Sequence, residues 1–288
     1  MTSIGARHAR FNPRQSLFGL EIDAMTMAEV LERAHVAVRE RRRLLIGVVN
    51  AAKVVKMRKD ELLRGSLLET DVLLADGQSV VWASRILGHP LPERIAGIDL
   101  FERLLESANV NSESVYFLGA RPEVLGALLD QVGTRFPGLR VAGSRDGYFS
   151  AEESSEVAEM IAASKADMLF LGITSPKKEI FLARFGDDLN VPLMHGVGGS
   201  FDILAGVTHR APRAWQRLGV EWAYRLLQEP RRLFKRYLST NTAFIALTLR
   251  ERIHPTASYT TASVTRQAPL APGRLASPAH RKSEEPSD

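Results

Sequence analysis

The chain has no cysteine among its 288 residues, which excludes disulfides and thiolate-held metals and fits a reducing compartment. No stretch approaches the roughly 18 uninterrupted apolar residues of a spanning helix, so any membrane contact is expected to be peripheral. The N-terminal MTSIGARHARFNPRQ lacks the apolar core of a secretory signal. No Walker A sequence is present, which argues against ATP hydrolysis, and no Asp-X-Asp occurs to hold a divalent ion. What is present is ordinary for a globular protein: 45% hydrophobic and 25% charged residues, enough for one large α/β domain or two small ones.

Short apolar, β-branched runs alternate with helical stretches from Leu17 to about Phe201, the grammar of a Rossmann-like α/β fold with a mainly parallel sheet flanked by helices. Strands are expected at Leu44–Asn50, Asp71–Ala75, Ser114–Ala120, Asp167–Thr174 and Val191–Val197, with a weaker one from Leu139. Helices are expected at Met25–Arg42, Ala52–Leu68, Ser79–Leu87, Leu100–Ala108, Pro122–Phe136 and Ala151–Ser164. Pro122 at a first turn and Ser150 three residues before Glu153 are start signals. The pattern divides the chain into a loose leader (residues 1–16), an α/β body (17–210), a C-terminal helical appendage (211–253) and a disordered tail (254–288). That tail holds five prolines in 35 residues.

Charge is unevenly placed. The net charge is +5, yet Arg210 to Arg236 carries eight Lys or Arg against Glu221 and Glu229. Trp215, Leu218, Trp222, Leu226, Leu227 and Phe234 are interleaved with them, and Trp215 and Trp222, seven apart, are expected on one face. Such a cluster suits nucleic acid, anionic lipid or a phosphorylated substrate.

Ligands of open α/β sheets collect at the carboxyl ends of the strands. There Asn50 ends one strand and Asp76-Gly77 the next; Gly119-Ala120-Arg121 follows the third, and Gly172 to Lys177 the fifth in sequence order. Asp76 fits two roles equally at this level, a general base or the cap of the next helix. Gly119 and Gly172 stand at strand-to-helix turns that can face a phosphate or simply turn tightly. Lys177 and Lys178, in a first helical turn, oppose the helix dipole, a conflict that an anion would resolve. Gly196-Val197-Gly198-Gly199 approaches a dinucleotide fingerprint, but Phe201 replaces its last glycine and no suitable acid follows, which argues against a nicotinamide cofactor. His195 and His209 are better read as structural hydrogen-bonding groups than as catalytic ones.

The segments ADGQSVVWASRILGHPLPERIAGIDL (Ala75–Leu100), VYFLGARPEVL (Val115–Leu125), DMLFLGITSPKKEIFLARF (Asp167–Phe185) and GVGGSFDILAGVTHRAPRAWQRLGVEWAYRLLQEPRR (Gly196–Arg232) together resemble the WecG/TagA/CpsF family of glycosyltransferases, family 26. The resemblance runs from about Leu17 to Phe244. It implies an inverting, metal-independent transfer of a hexose-type sugar from a UDP-sugar to a polyprenyl-diphosphate-linked sugar, in surface polysaccharide synthesis. UDP-sugar is then the donor substrate, no cofactor is needed, and the enzyme works on the cytoplasmic face of the inner membrane without nucleic acid. Asp76 becomes the base. Asn50, Gly77, Gly119, Gly172, Lys177, Glu179, Gly196, Gly198 and Gly199 are the expected nucleotide and sugar contacts, and Arg210, Arg225, Arg231 and Arg232 those for diphosphate or membrane.

Two departures bear on specificity. Val48 stands where the family often has Thr, and Pro176-Lys177-Lys178-Glu179 replaces Pro-Lys-Gln-Glu. A non-catalytic, membrane-associated sugar-nucleotide-binding module is the alternative, and a nucleotide-sugar oxidoreductase or epimerase a weaker one. Apolar surface on the appendage is open to sharing between copies in a homo-oligomer.

Overall fold

The computed structural model describes residues 13–217, 219, 221–228 and 230–259. It opens with an antiparallel hairpin, β1 (Arg14–Leu17) and β2 (Leu20–Asp23). The turn residues Phe18 and Gly19 both have positive φ, as a two-residue hairpin turn requires. Thus strand structure begins inside the segment expected to be a loose leader. Helix α1 (Met27–Arg39) starts with a capping box between Thr26 and Glu29.

There follow β3 (Leu44–Val49), α2 (Ala51–Lys56), α3 (Glu61–Leu68), β4 (Val72–Ala75) and α4 (Gln78–Ile86). Next come α5 (Gly97–Asn111), β5 (Ser114–Gly119), α6 (Pro122–Arg135), β6 (Arg140–Arg145) and α7 (Ser154–Ser164). The body closes with β7 (Met168–Gly172), α8 (Lys177–Phe185), β8 (Leu193–Gly196) and α9 (Ser200–Leu204). Helices alone follow: α10 (Arg213–Arg217), α11 (Glu221–Gln228) and α12 (Pro230–Ile253).

Six strands form one parallel sheet in the order β4-β3-β8-β7-β5-β6, so the Rossmann-like α/β expectation is met. Because both faces are covered, the central strands read as continuous apolar runs. One face packs Phe101, Phe117, Phe170 and Phe201 against α1, α5 and α6. Each such fully buried side chain contributes about 1.5–3 kcal/mol by leaving water. The other face carries two clusters, one around α7 and α8, the other joining the hairpin, α2–α4 and Phe244 of α12.

Three boundaries differ from the sequence pattern for local reasons. The helix expected over Ala52–Leu68 breaks into α2 and α3 because Asp60 caps a new start, its Oδ1 accepting from Leu63 N at 3.0 Å. α5 begins at Gly97, not Leu100, since a carboxylate from elsewhere receives its first N–H. The Ser150–Glu153 capping box forms, but the helix proper starts at Ser154.

The C-terminal end of the described chain is not loose. Glu251 accepts from Phe18 N at 3.2 Å and from Thr256 N at 3.0 Å, and Tyr259 N donates to Gly19 O at 2.9 Å. Residues up to 259 therefore clamp the hairpin, which corrects the disordered reading for that stretch. The rest of the expected tail, 260–288, lies outside the described residues.

Candidate active site

All six strands run the same way, so their carboxyl ends form one edge. Asp76 follows β4 there. Its N–H donates to Val49 O at 2.9 Å; its Oδ1 accepts from Gly97 N at 3.0 Å, and its Oδ2 from Asn50 Nδ2 at 3.3 Å. Asn50 is itself the cap of α2, its Oδ1 accepting from Lys53 N at 3.1 Å. The cap of α4 is Gly77, with no side-chain bond, so Asp76 does not cap the helix that follows it. It reaches across to the first N–H of α5 instead. Each carboxylate oxygen keeps a lone pair for a substrate hydroxyl.

At the other end of the edge a cavity of about 660 Å³ opens over β5 and β7. Its walls include Arg121, Gly172, Thr174, Lys177 and Asp202, and the loop Gly147–Phe149, where Tyr148 is 71% exposed. From β4 to β7 is three interstrand steps, about 14 Å at roughly 4.8 Å each.

The expected glycines divide by cause. Gly119 has φ +123°, and a side-chain carbon there would stand 2.6 Å from the Gly172 backbone; one on Gly172 would collide with the Phe201 ring. Both are required by packing, a cause the phosphate-loop reading did not include, although Gly172 still lines the cavity. Phe201 fills the position where a dinucleotide fold has its helix-packing glycine. Gly198, with φ +53° and open space around it, and Gly199 are exposed on the edge. Gly196 underlies Lys178, and Gly77 lies against Asn50.

The two lysines of α8 meet internal partners. Lys177 Nζ donates to Gly147 O at 2.8 Å and to Phe149 O, and stands 3.6 Å from the Phe149 ring centre. It fastens the loop that walls the cavity, and burial lowers its proton affinity. Lys178 pairs with Glu179 at 2.8 Å. Glu179 is only 2% exposed; burial pushes its pKa up, but Lys178 and the Ser175 hydroxyl outweigh that and hold it below the usual range. The dipole conflict seen in the sequence is thus met by carbonyls and a neighbouring acid.

His195 makes the structural hydrogen bond its sequence setting suggested through Nδ1 alone, its buried Nε2 having no hydrogen-bond partner among the described residues. It is fully buried, its Nδ1 lies 3.1 Å from Ile46 O, and burial lowers its pKa to about 4.

The segment after the body packs against residues that neighbour Asp76. Arg210 donates to Asp99 at 2.5 Å and Arg94 to Glu221 at 2.9 Å, so α11 is latched to the start of α5. Gly219, between α10 and α11, presses on Gln78, two residues from Asp76. Arg210, expected as a diphosphate or membrane contact, is therefore committed to this latch. Trp215 and Trp222 do not share a helix: Gly219, with φ +71°, separates α10 from α11. Trp215 packs on Tyr224 and Trp222 on Tyr237. Arg225, Arg231 and Arg232 fall on α11 and α12, and their side chains lie outside the described residues. No helix among the described residues is long and apolar enough to cross a membrane.

Tyr148, Asp202, Arg94 and Lys53 were not among the expected site residues, although they line or adjoin the edge; Lys178 was singled out only as a first-turn cation that an anion would suit. A family described as "Glycosyl transferase WecG/TagA/CpsF family" matches residues 15–258. The chain is also 39% identical over 194 residues to an N-acetylglucosaminyldiphosphoundecaprenol N-acetyl-beta-D-mannosaminyltransferase of Bacillus spizizenii. That match covers 67% of this chain and 74% of the relative.

Proposed function

The chain belongs to the WecG/TagA/CpsF family of glycosyltransferases, and from that premise we propose that it moves a sugar from a UDP-sugar to a polyprenyl-diphosphate-linked sugar, in cell-surface polysaccharide synthesis. The Bacillus relative is named for such an acceptor and for N-acetylmannosamine. A hexose or an N-acetylhexosamine fits the reading here. Val48 is 8% exposed and packed within the core, so no hydroxyl at that position assists donor choice.

The observation that carries the reading is Asp76, oriented by Gly97 N and Asn50 Nδ2 on the same edge as the 660 Å³ cavity. The nucleoside lies in that cavity with its base against Tyr148 and its ribose toward Asp202, and the diphosphate passes the open Gly198-Gly199 turn. Asp76 takes the proton of the acceptor hydroxyl as that oxygen attacks the anomeric carbon. The bond from that carbon to the diphosphate oxygen breaks, its electron pair leaves with UDP, and the anomeric configuration inverts. The reaction proceeds without a metal cofactor, the charge on UDP being met by cations and backbone N–H groups. The acceptor's lipid stays in the cytoplasmic leaflet, where α11 and α12 rest on the surface.

The test is UDP release from a panel of UDP-sugars with a short-chain prenyl-diphosphate-sugar acceptor, in EDTA. Acceptor-dependent release with one donor supports the transferase. Tight UDP-sugar binding with no release across the panel would replace it with the binding-module reading.

A further inference from the structure

Two lysines converge under the middle of the edge from different elements. Lys178, in the first turn of α8, lies across Gly196 at the end of β8. A side-chain carbon on Gly196 would stand 2.8 Å from Lys178 Cδ and 3.3 Å from its Nζ. Lys53, one turn into α2, donates to Val48 O at 2.7 Å, and no ion pair to it occurs among the described residues. Both line a cavity of about 30 Å³ beside Gly196, room for about one water.

The charges around Lys53 are Lys178 and Glu179 from α8 and Asp76 after β4. Glu69, at the far end of the cavity, is exposed and has Arg43 and Asp187 as its charged neighbours. Two ammonium groups thus face one close carboxylate, since Asp76 belongs to the acceptor side. Glu179 Oε1 already receives Lys178 and Ser175, leaving Lys178 two further donors.

β8 lies between the cavity over β5 and β7 and Asp76 at the end of β4, a place that a bridging diphosphate must cross. Among the other cations near the edge, Lys177 is held by loop carbonyls and Arg94 and Arg210 pair with Glu221 and Asp99, while Arg121 lines the cavity over β5 and β7, further from Asp76.

We propose that Lys178, supported from below by Lys53, is the cationic contact for the donor's diphosphate, an inference that rests on reading the edge as a sugar-nucleotide site. As the sugar–oxygen bond breaks, negative charge grows on the phosphate oxygen, and a fixed ammonium there offsets it without reorganisation. Lys53 is a positioning residue, adding charge beneath Lys178. Burial, with Lys178 beside it, lowers the Lys53 pKa to about 8, against the opposing pull of Asp76 and Glu179. Its charge is present below pH 8 and lost above it.

Calorimetric titration of the full chain with UDP and with uridine isolates the diphosphate. Lys178→Gln should weaken UDP about 10- to 100-fold, the usual worth of a charge-assisted hydrogen bond, and leave uridine unchanged. Lys178→Arg should keep most of the affinity. The advantage of UDP over uridine should shrink between pH 7 and 9 in the wild type, and that shrinkage should be smaller in Lys53→Met.

Wild-type UDP affinity in Lys178→Gln would overturn the assignment and leave Arg121 as the cation at the cavity. Parallel loss of UDP and uridine would overturn it as a folding effect. Loss confined to UDP-glucuronate, with UDP itself unaffected, would assign Lys178 to a sugar carboxylate and overturn the diphosphate contact. Should the wild type transfer no sugar while the UDP–uridine difference holds, the transferase reading falls and the anion contact stands.

Discussion

At the carboxyl edge of the sheet, Asp76, Asn50 and Gly97 satisfy one another's polar groups. Along α12, Phe234, Leu238, Ile245, Leu249 and Ile253 are left between 56% and 71% exposed. At 3.6 residues per turn these five fall within about 100° of one another. Phe244, Thr248 and Glu251 lie on another face and are buried against the hairpin and α2. Folding physics accounts for the bonds among Asp76, Asn50 and Gly97 and for the buried face of α12. It leaves the exposed stripe without a partner among the described residues, and contiguous apolar surface of that kind marks an interaction face. Under the proposed function, this contrast divides chemistry from placement: the body would carry the reaction, and the exposed stripe of α12 would carry the contact with a surface or partner.

The largest effect that would test this division is at Asp76. Asp76→Asn keeps the size and can still accept from Gly97 N, but cannot take a proton. Turnover should fall roughly 10²- to 10⁴-fold, with UDP binding and vesicle sedimentation unchanged. Turnover near wild type would remove Asp76 from the mechanism.

A pH effect in the body comes next. Unfolded His195 titrates near 6.5, whereas burial holds the folded residue near 4. Between those values the unfolded chain binds the extra proton. The stability contributed by neutral His195 is therefore fully present above about 6.5 and is lost as pH falls toward 4, by about 3 kcal/mol in all. Urea unfolding at pH 7 and pH 4.5 should show that slope in the wild type and a shallower one in His195→Gln. Equal slopes in both proteins would mean that the histidine is solvated.

At the junction of the two regions, Glu251→Ala leaves Phe18 N and the Thr256 groups without their acceptor. The expected cost is about 1–3 kcal/mol in chemical denaturation, with a rise in proteolysis near residues 254–259. A smaller loss, with the C-terminal segment still protected, would show that Phe244 against Phe18 suffices to hold α12.

The body was more legible than its junctions. Strands buried on both faces announce themselves as apolar runs, and Asp76 and Asn50 stood out because polar residues end such runs. The hairpin did not, because its turn is Phe18-Gly19, where an aromatic with positive φ replaces the usual Asn or Asp. Lys53 reads in sequence as an ordinary helical cation; only the approach of α8 to β8 places Lys178 beside it. The Arg94–Glu221 bond joins residues 127 apart, a separation no local pattern encodes. Gly119 and Gly172 were visible as glycines, but their cause, the Phe201 ring and the close approach of β5 to β7, is tertiary.

The smallest change in stability should accompany the clearest change in behaviour. Leu238→Asp with Leu249→Asp alters only exposed positions, where substitutions usually shift stability by no more than about 0.5 kcal/mol each. The unfolding midpoint and UDP binding should stay near wild type. If the stripe lies in a lipid interface, two carboxylates within it oppose both burial and anionic headgroups, and sedimentation with vesicles containing anionic lipid should be lost. Turnover should then fall with membrane-embedded acceptor and persist with a short, soluble one. If sedimentation survives but a concentration-dependent dimer dissociates, the stripe joins two copies of the chain. In that case the exposed arginines beside it, Arg250 and Arg252, become the next membrane candidates, because their charge would remain outside the dimer contact.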